Sequence, residues 1–99
     1  MSFGSAAAAI PLLPPGHELE LPGLGTVFVR DMPGPAGAPT VVLLHGWTAS
    51  ADLNWFTCYQ ALGQRFRVIA FDHRGHARGL RSKRTFRLED CADDVATVT

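Results

Sequence analysis

The segment that most restricts how this chain can fold is Val41-Val42-Leu43-Leu44, an apolar run without alternation that stops at His45-Gly46. A strand with one wet face alternates polar and apolar residues. An unbroken apolar run fits a strand buried on both faces, as in a parallel sheet covered by helices. A second such run, Val68 to Phe71, stops at Asp72. Between them, Asp52 to Gly63 carries Leu53, Phe56, Tyr59 and Leu62 close to helical spacing. Asp52 is the candidate N-cap and Gly63 the candidate stop. Strand, helix, strand in this order is a βαβ unit with a right-handed crossover and parallel strands. The fold class is therefore α/β.

The flanks extend this unit. His17 to Leu21 alternates polar and apolar, Pro22-Gly23 marks a turn, and Thr26 to Arg30 is β-branched and aromatic. This pattern predicts an antiparallel hairpin ahead of the parallel strands. Residues 32–39 hold three Pro and two Gly and read as a surface loop. Residues 1–16 read as a flexible N-terminal extension. They carry no Lys or Arg before the apolar stretch, and Pro11, Pro14 and Pro15 would break a helix, which argues against a secretory signal. Near the other end, Leu88, Cys91, Ala92, Val95 and Val98 share one helical face, with Glu89, Asp90, Asp93 and Asp94 assigned to the opposite, solvated one. Acids in the first turns suit the positive end of a helix dipole.

At 99 residues, the length allows one small domain. The formal net charge is zero, so no global basic field points to nucleic acid or to an acidic membrane surface. Charge is nonetheless uneven. Eight of the nine basic residues lie between Arg65 and Arg87, and the acidic segment from Glu89 to Asp94 follows directly. The two neutralise each other locally, and the basic loop lacks the interleaved aromatics of a nucleic-acid surface. Gly75 and Gly79 do not form the G-x-G-x-x-G pattern of a dinucleotide loop. Cys58 and Cys91 make neither a disulfide framework nor a zinc site and read as buried thiols of a reducing compartment, so a cytoplasmic protein is expected. No apolar run approaches the roughly 18 residues that span a bilayer.

Both apolar strands end on the same rim. Ligands of open parallel sheets bind beyond the carboxyl ends of strands, so His45-Gly46-Trp47 and Asp72-His73-Arg74-Gly75-His76 are the candidate site. Gly46 lets backbone approach a ligand, and the next backbone N–H, that of Trp47, is free to meet a developing negative charge. The Trp47 ring is also placed to line an apolar pocket. His45 reads as a loop-shaping residue. His73, His76 and Asp72 come from one short loop, which rarely supplies a whole metal site, so no metal is assigned. Asp72 is expected to anchor its own loop through backbone N–H groups, and Arg74 to pair with a carboxylate or loop carbonyls. Trp55, Phe56 and Tyr59 are expected to pack the helix.

Together, VVLLHGW followed by a helix, then VIAFDHRGHARG, then LEDCADDV resemble the N-terminal part of an α/β-hydrolase. The resemblance covers about residues 17–99. It implies that Trp47 supplies one oxyanion donor through its backbone N–H, and that Gly46 and His45 shape that loop. Asp72, Arg74 and Gly75 match the family's Asp-x-Arg-Gly loop. The chain departs at Ala77, where the family usually has Gly, and at Gly79, where it often has Ser. The family's nucleophile sits in a Gly-x-Ser-x-Gly elbow. None of the serines here, Ser2, Ser5, Ser50 and Ser82, lies in one, and the family's acid and catalytic His come later still.

The expected fold is thus an incomplete α/β-hydrolase sheet: an antiparallel hairpin, a parallel βαβ unit and a further helix, truncated before the nucleophile. The resemblance implies a parent reaction on an ester-like, epoxide or related bond through a covalent intermediate, with Ser or Asp as nucleophile. It implies a small-molecule substrate and no cofactor. The 99 residues alone are expected to be inactive. The competing reading is a non-catalytic gene fragment or a small interaction protein with a hydrolase-derived fold. The strand Val41–Leu44 is expected to lack a neighbour on one side, an apolar edge through which copies could self-associate.

Overall fold

The structure, a computed structural model, describes residues 13–99. Strands β1 (Gly16–Leu21), β2 (Gly25–Met32), β3 (Thr40–Leu43) and β4 (Arg67–Phe71) form one sheet in the order β1-β2-β4-β3. Helices α1 (Ala51–Trp55) and α2 (Tyr59–Gly63) connect β3 to β4, and α3 (Leu88–Val98) follows. β1 and β2 pair antiparallel, β2 and β4 antiparallel, and β3 and β4 parallel with Val41 opposite Val68. The expected hairpin and βαβ unit are both present, and the hairpin joins the sheet through β4.

The unbroken apolar runs have the expected cause. Alternate residues of β4 feed opposite faces. Ile69 and Phe71 pack with Leu21, Val27, Val29 and Leu80, against Val95 and Val98 of α3. Val68 and Ala70 pack on the other face with Leu43, Ala51 and Tyr59, against Met32, Trp55 and Leu62. α3 therefore covers one face while α1 and α2 cover the other. β1 has helical cover on one face only, and its Glu18 and Glu20 face solvent.

Several local expectations need correction. The single helix expected over Asp52–Gly63 is two short ones, with residues 56–58 as a turn between them. Its apolar residues recur strictly every three positions. At about 100° per residue such a stripe lags roughly 60° per step and winds around a continuous helix. Breaking the helix buries Tyr59 completely and leaves Leu53 and Phe56 exposed. Ser50, not Asp52, is the N-cap, its hydroxyl accepting from the Leu53 N–H at 3.2 Å. Asp52 is instead taken by Arg30, which grips both its carboxylate oxygens at 2.9 Å, and by the Tyr59 hydroxyl at 3.0 Å. The expected stop holds: α2 ends with Gly63, where a Cβ would collide with the Met32 sulfur.

In α3 the expected polar face is divided. Asp90 and Asp94 are buried, while Leu88, assigned to the apolar face, is exposed. The carboxylates point inward because Arg74 waits beneath them. Its guanidinium grips both oxygens of Asp94, at 2.7 and 2.8 Å, and stands 3.9 Å from Asp90. At the N-terminal end, the expectation of a flexible extension over residues 1–16 falls outside the described residues for 1–12. The last part of it is tied down. Pro14 is buried, its carbonyl accepting from Arg30 at 2.8 Å, and the Pro15 carbonyl accepts from the Asp31 N–H at 3.0 Å. Among the described residues, no helix is long and apolar enough to cross a membrane.

Candidate functional site

Parallel pairing of β3 with β4 brings their carboxyl ends to one rim, so the loops after Leu43 and Phe71 face each other. Leu44, expected to end the strand, lies just past it and is exposed. Its carbonyl accepts from the Trp55 indole N–H at 3.2 Å, which ties the start of the loop to α1.

Three backbone groups of residues 46–48 are held by side chains. The Gly46 N–H donates to the Asn54 side-chain oxygen at 2.7 Å. The Gly46 carbonyl is 2.7 Å from His45 Nδ1. The Thr48 N–H points to His76 Nε2 at 3.2 Å, and Thr48 adopts a left-handed φ of 59°. Between them, the Trp47 N–H has no hydrogen bond to any described residue. The Trp47 side chain is 69% exposed and meets His76 and Phe86 edge-on, at centroid distances of 5.4 and 4.9 Å. These rings border an apolar cleft of about 330 Å³, floored by Leu44, His73, Cys91 and Val95.

The second loop is braced as the sequence suggested. Asp72, 3% exposed, accepts from the Ala51 N–H at 2.7 Å and the Arg78 N–H at 3.0 Å. It ties its own loop and the start of α1 to the end of β4. Arg74 pairs with Asp94, which raises the guanidinium pKa further above its ordinary value. The loop also contains a non-glycine in the left-handed region, Ala77 at φ 33°. Gly79 approaches backbone so closely that a Cβ would fall 2.2 Å from the His73 carbonyl oxygen.

His45 is buried, and its Nε2 lies 2.8 Å from the His73 N–H, so the first loop hydrogen-bonds the second. His73 Nδ1 is buried without a hydrogen-bond partner. Burial, with His45 and His76 adding to it, pushes the His73 pKa below its ordinary value and keeps the ring neutral. Burial also pushes the Cys91 thiol up, away from nucleophilic thiolate. Among the described residues, no three of His, Cys, Asp or Glu converge as metal ligands.

The structure thus places His45, Gly46 and Trp47 in the loop after β3, and sets Asn54 and His76 against the backbone of this loop. Asn54 carried no motif signal. His76 stood in the second loop, but its partner is 28 residues away in the chain. Chemically, the arrangement offers one unclaimed backbone donor at the mouth of an apolar cleft. Such a donor can meet an oxyanion.

Comparison with known proteins places the fold. Residues 39–99 match the family model described as the alpha/beta hydrolase fold. The chain is 38% identical over 73 residues to a bifunctional esterase/perhydrolase from Acinetobacter calcoaceticus, covering 73% of this chain and 26% of that protein. It is 35% identical over 63 residues to a proline iminopeptidase from Pestalotiopsis fici, covering 63% and 22%. Its structure is similar to that of an E-2-(acetamidomethylene)succinate hydrolase, with TM-score 0.71 and 26% identity over 85% of this chain and 30% of the other. It is also similar to an epoxide hydrolase from hot-environment metagenomes, with TM-score 0.70 and 27% identity over 88% and 29%. The chain spans about a quarter of the length of the curated relatives it matches. On its sequence match, its mixed sheet and its strand order, the chain belongs to the α/β-hydrolase fold family.

Proposed function

We propose that this chain is the oxyanion-loop portion of a hydrolase that acts on an ester-like, epoxide or related bond of a small molecule through a covalent intermediate. The observation that carries this reading is the Trp47 N–H, unclaimed among the described residues while the N–H groups on either side of it, of Gly46 and Thr48, are both engaged. A donor held rigidly at the end of a parallel strand, beside an apolar cleft, suits stabilisation of a tetrahedral oxyanion. Relatives named esterase/perhydrolase and iminopeptidase, and a structural neighbour named epoxide hydrolase, support the breadth of the reaction class. No cofactor is needed for this chemistry. A cytoplasmic location accords with two free cysteines, Cys58 and Cys91.

The 99 residues hold no Gly-x-Ser-x-Gly elbow, so the chain by itself should have no turnover. Purified chain assayed with short-chain nitrophenyl esters should match a boiled control. Saturable turnover that titrates with protein would overturn the reading. In a complete enzyme carrying this segment, Trp47→Pro removes the N–H, and losing one oxyanion donor costs about 2.7–4 kcal/mol in turnover. Trp47→Phe keeps the N–H and should change mainly binding. Equal loss in both variants, with both folded, would assign the role to the ring instead.

A further inference from the structure

Three consecutive peptide units around Trp47 are each gripped by a different side chain. Asn54 accepts from the N–H of the His45–Gly46 unit. His45 Nδ1 lies on the carbonyl of the Gly46–Trp47 unit. His76 Nε2 accepts from the N–H of the Trp47–Thr48 unit. In a trans peptide the C=O and N–H point in opposite directions. Holding the Gly46 carbonyl therefore aims the Trp47 N–H away from His45.

The two histidines also mirror each other across the rim. His45 belongs to the first loop and accepts the His73 N–H of the second at 2.8 Å. His76 belongs to the second loop and accepts the Thr48 N–H of the first at 3.2 Å. Each ring's Nδ1 lies on a carbonyl of its own loop, Gly46 for His45 at 2.7 Å and Arg74 for His76 at 3.1 Å. A neutral imidazole protonated at Nδ1 satisfies all four contacts. The imidazolium has no acceptor, and the other tautomer reverses both roles. The rings meet edge to face with centroids 5.0 Å apart. Thr48, β-branched and at φ 59°, resists this conformation without such a hold.

We propose that His45 and His76 form a reciprocal clasp between the two rim loops, and that His76 is a positioning residue for the Trp47 N–H. The catalytic consequence rests on the reading of Trp47 as an oxyanion donor; the clasp itself does not. His76→Phe keeps an aromatic ring against Trp47 and Phe86 but removes the acceptor. His76→Gln keeps an acceptor on a non-aromatic side chain.

The test is amide hydrogen exchange of the 99-residue chain, read at Thr48 and His73. His76→Phe should speed exchange at both amides by about tenfold or more, and His76→Gln should keep them near the parent rate. Any other pattern, including equal behaviour of the two variants, overturns the clasp. Imidazole nitrogen spectra should show the Nδ1–H tautomer at both His45 and His76, and the opposite tautomer at either ring overturns it as well. In a complete enzyme carrying this segment, His76→Phe should lower kcat with KM unchanged, and His76→Gln should restore it. If the exchange pattern holds but Trp47→Pro leaves kcat intact, the clasp stands and the oxyanion reading falls.

Discussion

Replacing Asp94 with Asn should be one of the most damaging single-atom changes available to this chain. Asp94 is 3% exposed at its side chain and Arg74 10%, and the pair is bidentate at 2.7 and 2.8 Å. The variant keeps shape and volume but removes the charge and turns an amide N–H₂ toward a guanidinium. Removing one partner of a buried ion pair costs about 3–5 kcal/mol, because the remaining charge is left uncompensated. Asp90, 3.9 Å from the same guanidinium, retains part of the compensation, which sets the expectation near the lower end, about 3 kcal/mol. Domains of this size are stable by about 5–15 kcal/mol in total. With a urea slope of about 1–2 kcal/mol per molar, the unfolding midpoint should fall by about 1.5–3 M. Urea titration followed by far-ultraviolet circular dichroism measures this. Asp93→Asn, the same chemical change at an exposed position of α3, should stay within about 0.5 kcal/mol of the parent. If Asp93→Asn and Asp94→Asn shift the midpoint equally, the buried pair does not anchor α3. Replacing both Arg74 and Asp94 with apolar residues of similar size should recover much of the loss.

Other expectations follow from the same contacts. Ala77→Gly should stabilise the chain by about 1 kcal/mol by relieving its left-handed backbone, while Gly79→Ser should strongly destabilise it by forcing a Cβ against the His73 carbonyl; thermal melting of both variants checks the pair of signs. Arg30, with Tyr59 and Arg78, holds the Asp52 carboxyl below its ordinary value of 3.8, so its stabilisation is complete above that value and is lost as pH falls through the depressed one. The stability gap between the parent and Asp52→Asn should therefore be constant at neutral pH and close on strong acidification, and a gap unchanged down to pH ~2 would refute the assignment. Size-exclusion chromatography should show the chain self-associating through β3, with those amides of Val41–Leu43 that point away from β4 protected only in the larger species; a monomer in which every amide of Val41–Leu43 is slow to exchange would contradict this.

Strands were legible because their signal is local. Period-two alternation marked β1, and continuous apolarity marked β3 and β4, whose two faces are both covered. The connection between β3 and β4 was harder. The spacing of Leu53, Phe56, Tyr59 and Leu62 contained the break, since a strict three-residue period does not track one face of a long helix. Charge alone marks Asp90 and Asp94 for the solvated face, yet both are buried. Their separation of four residues put them on one face, but only Arg74, 20 residues before Asp94, determines that this face is buried. At the candidate site, the loop that offers the Trp47 N–H was visible as a motif. Its supports were not, because Asn54 and His76 act across the fold on backbone groups that carry no sequence signature.

The outer edge of β3 ends only a few residues before Trp47, and strand direction there carries chemical meaning. β3 runs parallel to β4, so its carboxyl end opens onto the rim. A strand added to that edge in the same direction would bring its own carboxyl end, and whatever residue follows it, to the side of Trp47. A copy of the chain added in the opposite direction would satisfy the same backbone groups and shield the same apolar residues, yet bring only its amino end to the rim. Both additions would yield a longer sheet and a quieter edge. The polarity of the incoming strand alone would determine whether the rim acquires a reacting group or is merely capped.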